Sequence, residues 1–155
     1  MEDIYNVERD LILSGIRLDG RNPTESRKLK TQQLAPGKYE VALGNSLVLA
    51  CVSASMATPY TDRPHEGFLE MHCNFLPMAH KNFESLLGFG CKTFGNDVSR
   101  EITRLLEKTI AKAKAINTES LCIKIGEAVW RVRLDLHILH HDGNLIDLCM
   151  IAAML

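Results

Sequence analysis

At 155 residues, 46% of them hydrophobic and 24% charged, the chain can bury one sizeable core and is too apolar for a disordered or collagen-like polymer. A formal net charge of -1 excludes the strongly basic balance that by itself announces nucleic-acid binding, so any RNA contact has to come from a local patch. No apolar run approaches the ~20 residues of a membrane span, the opening MEDIYNVERD is too acidic and polar for a signal peptide, and the expectation is a single intracellular domain.

The five cysteines, Cys51, Cys73, Cys91, Cys122 and Cys149, are widely spaced and include no C-x-x-C pair. They read as reduced core thiols rather than as zinc ligands or a disulfide framework.

Taken in chain order, Asp3 to Ile16 places Ile4, Val7 and Leu11 on one side with Gly15 near the end, which predicts a short helix. R-L-D-G-R at Arg17 to Arg21 follows as a turn between arginines. Leu29 to Leu34 reads as a strand, and in GKYEVALGNSLVLACVSASM the pair Gly44-Asn45 separates two β-rich runs as a tight hairpin turn. The run Leu47 to Ala54 is apolar on both faces and predicts a central, buried strand.

Phe68 to Pro77 alternates, with Leu69, Met71, Cys73 and Phe75 on one face and Glu70, His72 and Asn74 on the other. The segment MAHKNFESLLGFGCKTFGND has no sustained period and predicts a long loop, a common home for function. From Ser99 the period becomes helical through Ile102, Leu105, Leu106, Ile110 and Ala113, with Asn96, Asp97 or Ser99 as N-cap. Leu121 to Ile125 and Val129 to His140 then predict a strand pair around GEA. In the second strand Trp130, Val132, Leu134, Leu136 and Ile138 face inward, and Arg131, Arg133, Asp135 and His137 outward. The tail GNLIDLCMIAAML predicts an apolar helix without a C-terminal cap. A helix apolar all round needs cover on every side, so the chain is expected to be the N-terminal portion of a larger fold or to be covered by a partner.

Two constellations invite chemistry. His137, His140, His141 and Asp142 have metal-ligand character, but period-two geometry sets His140 opposite His137 and His141. The simpler reading is a strand end and an Asp142-Gly143-Asn144 turn, with Asp142 or Asn144 capping the next helix. The second is the row Arg100, Arg104, Lys108 and Lys112 at successive i+4 positions. Like charges so placed repel by a few tenths of a kcal/mol per pair. The row is therefore either a solvated face, partly neutralised by Glu101 and Glu107, or a track for a phosphate backbone. There is no G-x-S-x-G elbow, no phosphate loop of the G-x-x-x-x-G-K-[ST] type and no H-E-x-x-H. The residues alone give an α+β domain without a visible catalytic set.

The order helix, R-L-D-G-R, VALGNSLVLACVSA, EGFLEMHCNFLP, long loop, helix, then TESLCIKIGEAVWRVRLDLHILHHDGNLIDLCMIAAML resembles the ribonuclease-PH-like proteins, and among them the ring subunits of the RNA exosome. The resemblance implies the N-terminal part of a ribosomal protein S5 domain 2-like fold, a mixed sheet packed against helices. It further implies a hexameric ring of such subunits with a protein-41-type neighbour, RNA-binding cap subunits on one face, RNA threading the pore, and residence in nucleus, nucleolus and cytoplasm. No cofactor, metal or membrane is implied.

In active members a loop of the type G-G-[TS]-R-T-x-S after the last N-terminal strand holds the attacking phosphate. The corresponding positions here are Gly143, Asn144, Leu145, Ile146, Asp147, Leu148 and Cys149. The arginine and hydroxyls are absent, and Asp147 brings a negative charge to where phosphate sits. Active members also carry arginines just before the long helix, where this chain has Asp97 and Val98. The resemblance therefore implies no catalytic residue and a structural role, with RNA contacts from Arg63, Lys92, Arg100, Arg104 and Lys108. The competing expectation is a phosphorolytic ribonuclease with a divergent site.

Overall fold

The computed structural model describes residues 6–15, 20–22, 24–79 and 94–155. A short helix α1 (Asn6–Leu13) leads to three strands, β1 (Leu29–Ala35), β2 (Lys38–Leu43) and β3 (Ser46–Ala57). β4 (Phe68–Phe75) ends in a single 3-10 turn at Pro77–Ala79. Helix α2 (Phe94–Leu106) widens into a π-helical turn at Glu107–Ala111. A further 3-10 turn, Thr118–Leu121, precedes β5 (Cys122–Lys124), β6 (Ala128–His140) and helix α3 (Leu145–Met154).

The strands form one mixed sheet in the order β1-β2-β3-β6-β4, with short β5 also pairing β6. All pairs are antiparallel except β4 with β6. The β2–β3 hairpin turns at Gly44-Asn45 as expected, with Leu43 opposite Ser46 and Gly44 at a φ of 65°. That positive φ suits the first central position of a primed turn. The β1–β2 hairpin turns at Pro36-Gly37, where Gly37 has a φ of 72°. Proline followed by left-handed glycine is itself a turn signature.

One face of the sheet carries the core. Val41, Val48, Leu136 and Ile138 are fully buried there, beneath Ile102, Leu106 and Ile110 from α2 and its π turn, and beneath Leu145, Leu148 and Cys149 from α3. Each such Val, Leu or Ile contributes on the order of 1.5–3 kcal/mol of transfer free energy. The alternation expected of β4 is observed, with Met71 and Cys73 buried and His72 and Asn74 exposed.

Four local expectations are corrected. Helix α2 begins at Phe94, so Asn96, Asp97 and Ser99 lie inside it rather than ahead of it. Of its stripe Ile102, Leu106 and Ile110 are buried and Leu105 is half-buried, but Ala113 falls in the turn beyond the π turn and is exposed. Val52 to Met56 is not buried, although β3 is central: Val52 is 49% and Met56 69% exposed. Trp130, which pairs with Met56, is 40% exposed rather than inward. The cause is common to both strands. Their face alternates correctly, but the buried stretch runs only from Ser46 to Ala50 on β3 and from Leu134 to Ile138 on β6, and the other end of the ladder is uncovered.

α3 buries Leu145, Leu148, Cys149 and Ala152, while Ile146, Met154 and Leu155 remain exposed. Of the long loop expected after β4, residues 80–93 lie outside the described residues, and so does the R-L-D-G stretch apart from Gly20.

Candidate functional site

The turn between β6 and α3 is held by residues that are distant in sequence. Ser46, the first residue of β3, is fully buried. Its Oγ donates to the Gly143 carbonyl at 2.8 Å and accepts the Asp142 amide at 3.0 Å. Arg27 Nη1 donates to the Asp142 carbonyl at 2.6 Å and to the Gly143 carbonyl at 3.3 Å. Asn45 Nδ2 donates to Asp142 Oδ2 at 3.1 Å. The Gly143 amide donates to His141 Nδ1 at 3.2 Å, and the His141 amide donates to the Ala79 carbonyl at 2.9 Å.

The chain reverses through two left-handed residues, Gly143 at a φ of 84° and Asn144 at 54°. Glycine tolerates that region freely and asparagine tolerates it better than most residues. The expected side-chain cap is not observed. Asn144 stands at the N-cap position of α3 without a side-chain cap bond, because a left-handed N-cap departs from the extended backbone that side-chain capping uses. Asp142 instead receives Asn45. The carboxylate in the first turn of α3 is Asp147, where the helix dipole favours a negative charge.

This geometry decides what the turn can offer an anion. The amides of Asp142 and Gly143 are already committed, to Ser46 and to His141. The carbonyls of the same two residues face Arg27 and Ser46. A pocket of about 510 Å³ beside the turn brings Arg21 and Arg27 together with Glu25, Asn144 and Asp147, so its cations are matched by carboxylates. Arg27 and Ser46 were missed in the sequence. Ser46 read only as a residue after a hairpin turn, and no local pattern announces a contact made between residues 115 positions apart.

The histidines do not converge. His137 lies on the open sheet face opposite Leu49 and Asn74, His140 is at the exposed strand end, and His141 Nδ1 accepts a backbone amide. Among the described residues, no group of three or more His, Cys, Asp or Glu side chains is arranged to hold a metal ion.

A second feature is a groove of about 400 Å³ along the outer edge of β4. Its strand wall is His72, Cys73 and Asn74, and its helix wall includes Ser99, Arg100, Arg104 and Glu107. Ser99 Oγ donates to the Cys73 carbonyl and ties α2 to this edge. The groove thus collects Arg100 and Arg104 beside polar side chains that can accept or donate to a sugar or base. Lys108 follows on the π turn, exposed but not part of the groove lining. Arg63 stands elsewhere, in the loop leading into β4, paired with Glu66 at 3.2 Å. Lys92 lies outside the described residues.

The open face of the sheet is polar and internally paired. Arg131 Nε lies 3.4 Å from Glu70 Oε1 and its guanidinium 5.2 Å from the centre of the Phe68 ring, and Arg133 meets Asp135 at 2.9 Å.

Comparison with known proteins agrees with this architecture. The pattern of the family described as 3' exoribonuclease family, domain 1, matches residues 25–155. Exosome complex component rrp45 of Schizosaccharomyces pombe is 36% identical over 143 residues, which is 90% of this chain and 46% of the relative. Exosome complex component Rrp42 of Thermoplasma acidophilum is 37% identical, over 99% of this chain and 59% of the relative. Among solved structures, a chain of the Archaeoglobus fulgidus exosome with RNA bound to the active site superposes with a TM-score of 0.77 at 31% identity, covering 96% of this chain and 59% of that one. The chain spans about half the length of the curated relatives it matches. With its mixed sheet, its helices on one face and a family match over residues 25–155, this chain belongs to the 3' exoribonuclease family, that of the ribonuclease-PH-like proteins.

Proposed function

We propose that the chain is a non-catalytic structural subunit of an exosome-type ring, supporting RNA on its way to 3'→5' processing and degradation. Its partners are other ribonuclease-PH-like subunits in a hexameric ring, a protein-41-type neighbour among them, together with RNA-binding cap subunits and RNA itself. It works without cofactor, metal or membrane, in the nucleus, nucleolus and cytoplasm.

The observation that carries the non-catalytic reading is the turn before α3. A phosphate held there needs free amides and an unmatched cation, yet the Asp142 and Gly143 amides donate within the fold, Arg27 is spent on the carbonyls of the same two residues, and the pocket beside the turn sets its arginines against Glu25 and Asp147. A dianion beside two carboxylates is repelled, and committed amides do not offset that repulsion. The RNA contact is assigned to Arg100 and Arg104 in the β4–α2 groove, with Lys108, Arg63 and Lys92 as outlying cations. A single strand releases about 0.7 counterions per neutralised phosphate.

The test is RNA binding by the reconstituted ring carrying Arg100→Glu and Arg104→Glu, measured by anisotropy across a salt series. Loss of both contacts is expected to weaken binding at low salt and to reduce the log–log salt slope by about 1.4. Unchanged affinity at low and moderate salt removes the RNA role of the groove. Phosphate-dependent release of nucleoside diphosphates by this chain or its dimer replaces the structural reading with that of a divergent phosphorolytic enzyme.

A further inference from the structure

Strand β1 ends the sheet, and no described element pairs with its far side. Every residue from Leu29 to Leu34 is exposed. Its pairing with β2 is regular from Leu29 opposite Leu43 to Gln33 opposite Tyr39, and shifts only between Gln33 and Ala35. The Gly44 amide donates to the Lys28 carbonyl at 3.1 Å, one step beyond the Leu29–Leu43 pair. Bonded and non-bonded pairs alternate along an antiparallel ladder. Lys30 and Gln32 therefore spend their amides and carbonyls on β2, while Leu29, Thr31 and Gln33 turn theirs outward. Such an edge is a template for another strand, and neither a proline nor a bulge interrupts it between Leu29 and Gln33. At the Lys28 end the edge opens onto a pocket of about 470 Å³ whose lining includes Arg21, Glu25, Arg27, Lys28, Lys30 and Asp142. Four cations meet two carboxylates there, and Asp142 already accepts from Asn45. Lys28 and Lys30 enter no ion pair with a described residue.

We propose that the outer edge of β1 takes an extended segment of a partner protein, added antiparallel, whose acidic C-terminal end lies in the pocket at Lys28 and Lys30. Main-chain bonds to Leu29, Thr31 and Gln33 hold the segment, and the pocket selects its charge. A strand running against β1 finishes at the Lys28 end, so its last residues are the ones that meet the cations. A second copy of this chain fits less well. Its β1 ends in Gln32-Gln33-Leu34-Ala35, followed by Pro36-Gly37-Lys38, and would bring a lysine rather than a carboxylate to the pocket. RNA would use the cations and leave the outward amides and carbonyls unmatched. The proposal stands apart from the RNA reading of the β4–α2 groove, which lies at the opposite edge of the sheet.

The test titrates the full chain into a fluorescein-labelled peptide of alternating threonine and valine that ends in two glutamates, followed by anisotropy. Saturable binding is expected, and a peptide ending in two lysines is expected not to bind. Reversing both charges with Lys28→Glu and Lys30→Glu should weaken binding about tenfold, the combined effect of two exposed ion pairs. Thr31→Pro deletes an outward amide and leaves the β2 ladder intact, since proline is tolerated on the free side of an edge strand; it should abolish binding. Should that variant fail to fold, the same peptide N-methylated on alternate amides replaces it, and loss of binding is again expected. Absence of saturation, equal binding of the lysine-ended peptide, or full binding to Thr31→Pro or by the N-methylated peptide overturns the proposal. So does a concentration-dependent dimer in sedimentation that Thr31→Pro dissolves, which assigns the edge to a second copy. Single-stranded RNA binding that is lost in the charge-reversed variant, with the peptide unbound, overturns it in favour of a nucleic acid.

Discussion

Ser46→Ala tests whether the turn before α3 is held from β3. Ser46 is fully buried and makes two bonds to the turn, donating to Gly143 at 2.8 Å and accepting from Asp142 at 3.0 Å. Each bond contributes about 1 kcal/mol net, and an amide left without a partner costs about 1–3 kcal/mol. The two ends differ after the mutation. The Gly143 carbonyl keeps Arg27 at 3.3 Å, whereas the Asp142 amide loses the acceptor found for it here. The expected loss is therefore about 2–3 kcal/mol, near the upper part of the range for single substitutions. In urea this moves the midpoint by roughly 1 M or more at the m-values of small domains. Ser53→Ala, at an exposed position on the same strand, is the control and stays within about 0.5 kcal/mol. Because Arg27 and Ser46 share the Gly143 carbonyl, combining Ser46→Ala with Arg27→Met should be non-additive by at least about 0.5 kcal/mol. A Ser46→Ala loss no larger than that of Ser53→Ala, or strict additivity with Arg27→Met, refutes the account of the turn.

Two other substitutions probe the frame around the site. Leu136→Ala empties a fully buried position in β6 and is expected to cost about 2–5 kcal/mol in equilibrium unfolding, since the neighbours relax only partly into the space. Gly67→Ala places a Cβ 2.5 Å from Leu121 Cβ and 2.7 Å from the Trp130 carbonyl. Because one of those atoms is backbone, the expected cost is at least about 1–3 kcal/mol, accompanied by a change in fluorescence from Trp130, the single tryptophan; a variant with wild-type stability and emission contradicts the close packing.

The parts of this fold that could be read from the chain are those whose causes are local. Gly44-Asn45 between two β-rich runs specifies its hairpin, and the alternation of β6 identifies its buried face from Leu134 to Ile138. The stripe of α2 identifies Ile102, Leu106 and Ile110. What escaped the reading is set by partners far along the chain. Nothing near Phe68 says that β4 lies parallel to β6 at the sheet's edge, and nothing in Val52 to Met56 says that the helices leave that end of the ladder open. Arg27 reads as one more surface cation until the fold sets it on the carbonyls of Asp142 and Gly143. For the proposed non-catalytic reading, residue type carried the departure from the family's loop, because an absent arginine is visible in a string of letters. The commitment of the amides was not, since it depends on Ser46 and on the ring of His141.

That commitment adds a geometric argument to the proposal that this turn does not hold phosphate. The change from an arginine- and hydroxyl-bearing loop to Asn144-Leu145-Ile146-Asp147 suggests at first a site that lost its ligands and kept its shape. The geometry describes something more settled. Leu145 is buried in the core, and Asp147 supplies from within the chain the negative charge that the start of α3 favours. The turn's own amides bond to Ser46 and His141. A phosphate drawing on the Asp142 and Gly143 amides would break bonds that hold the turn together and would meet the Asp147 carboxylate at the helix start. On the proposed reading, Ile146→Arg is therefore expected to restore no phosphate-dependent activity, because the Asp142 and Gly143 amides that could share the anion with it now bond within the fold; phosphate-dependent release of nucleoside diphosphates by that variant would contradict it.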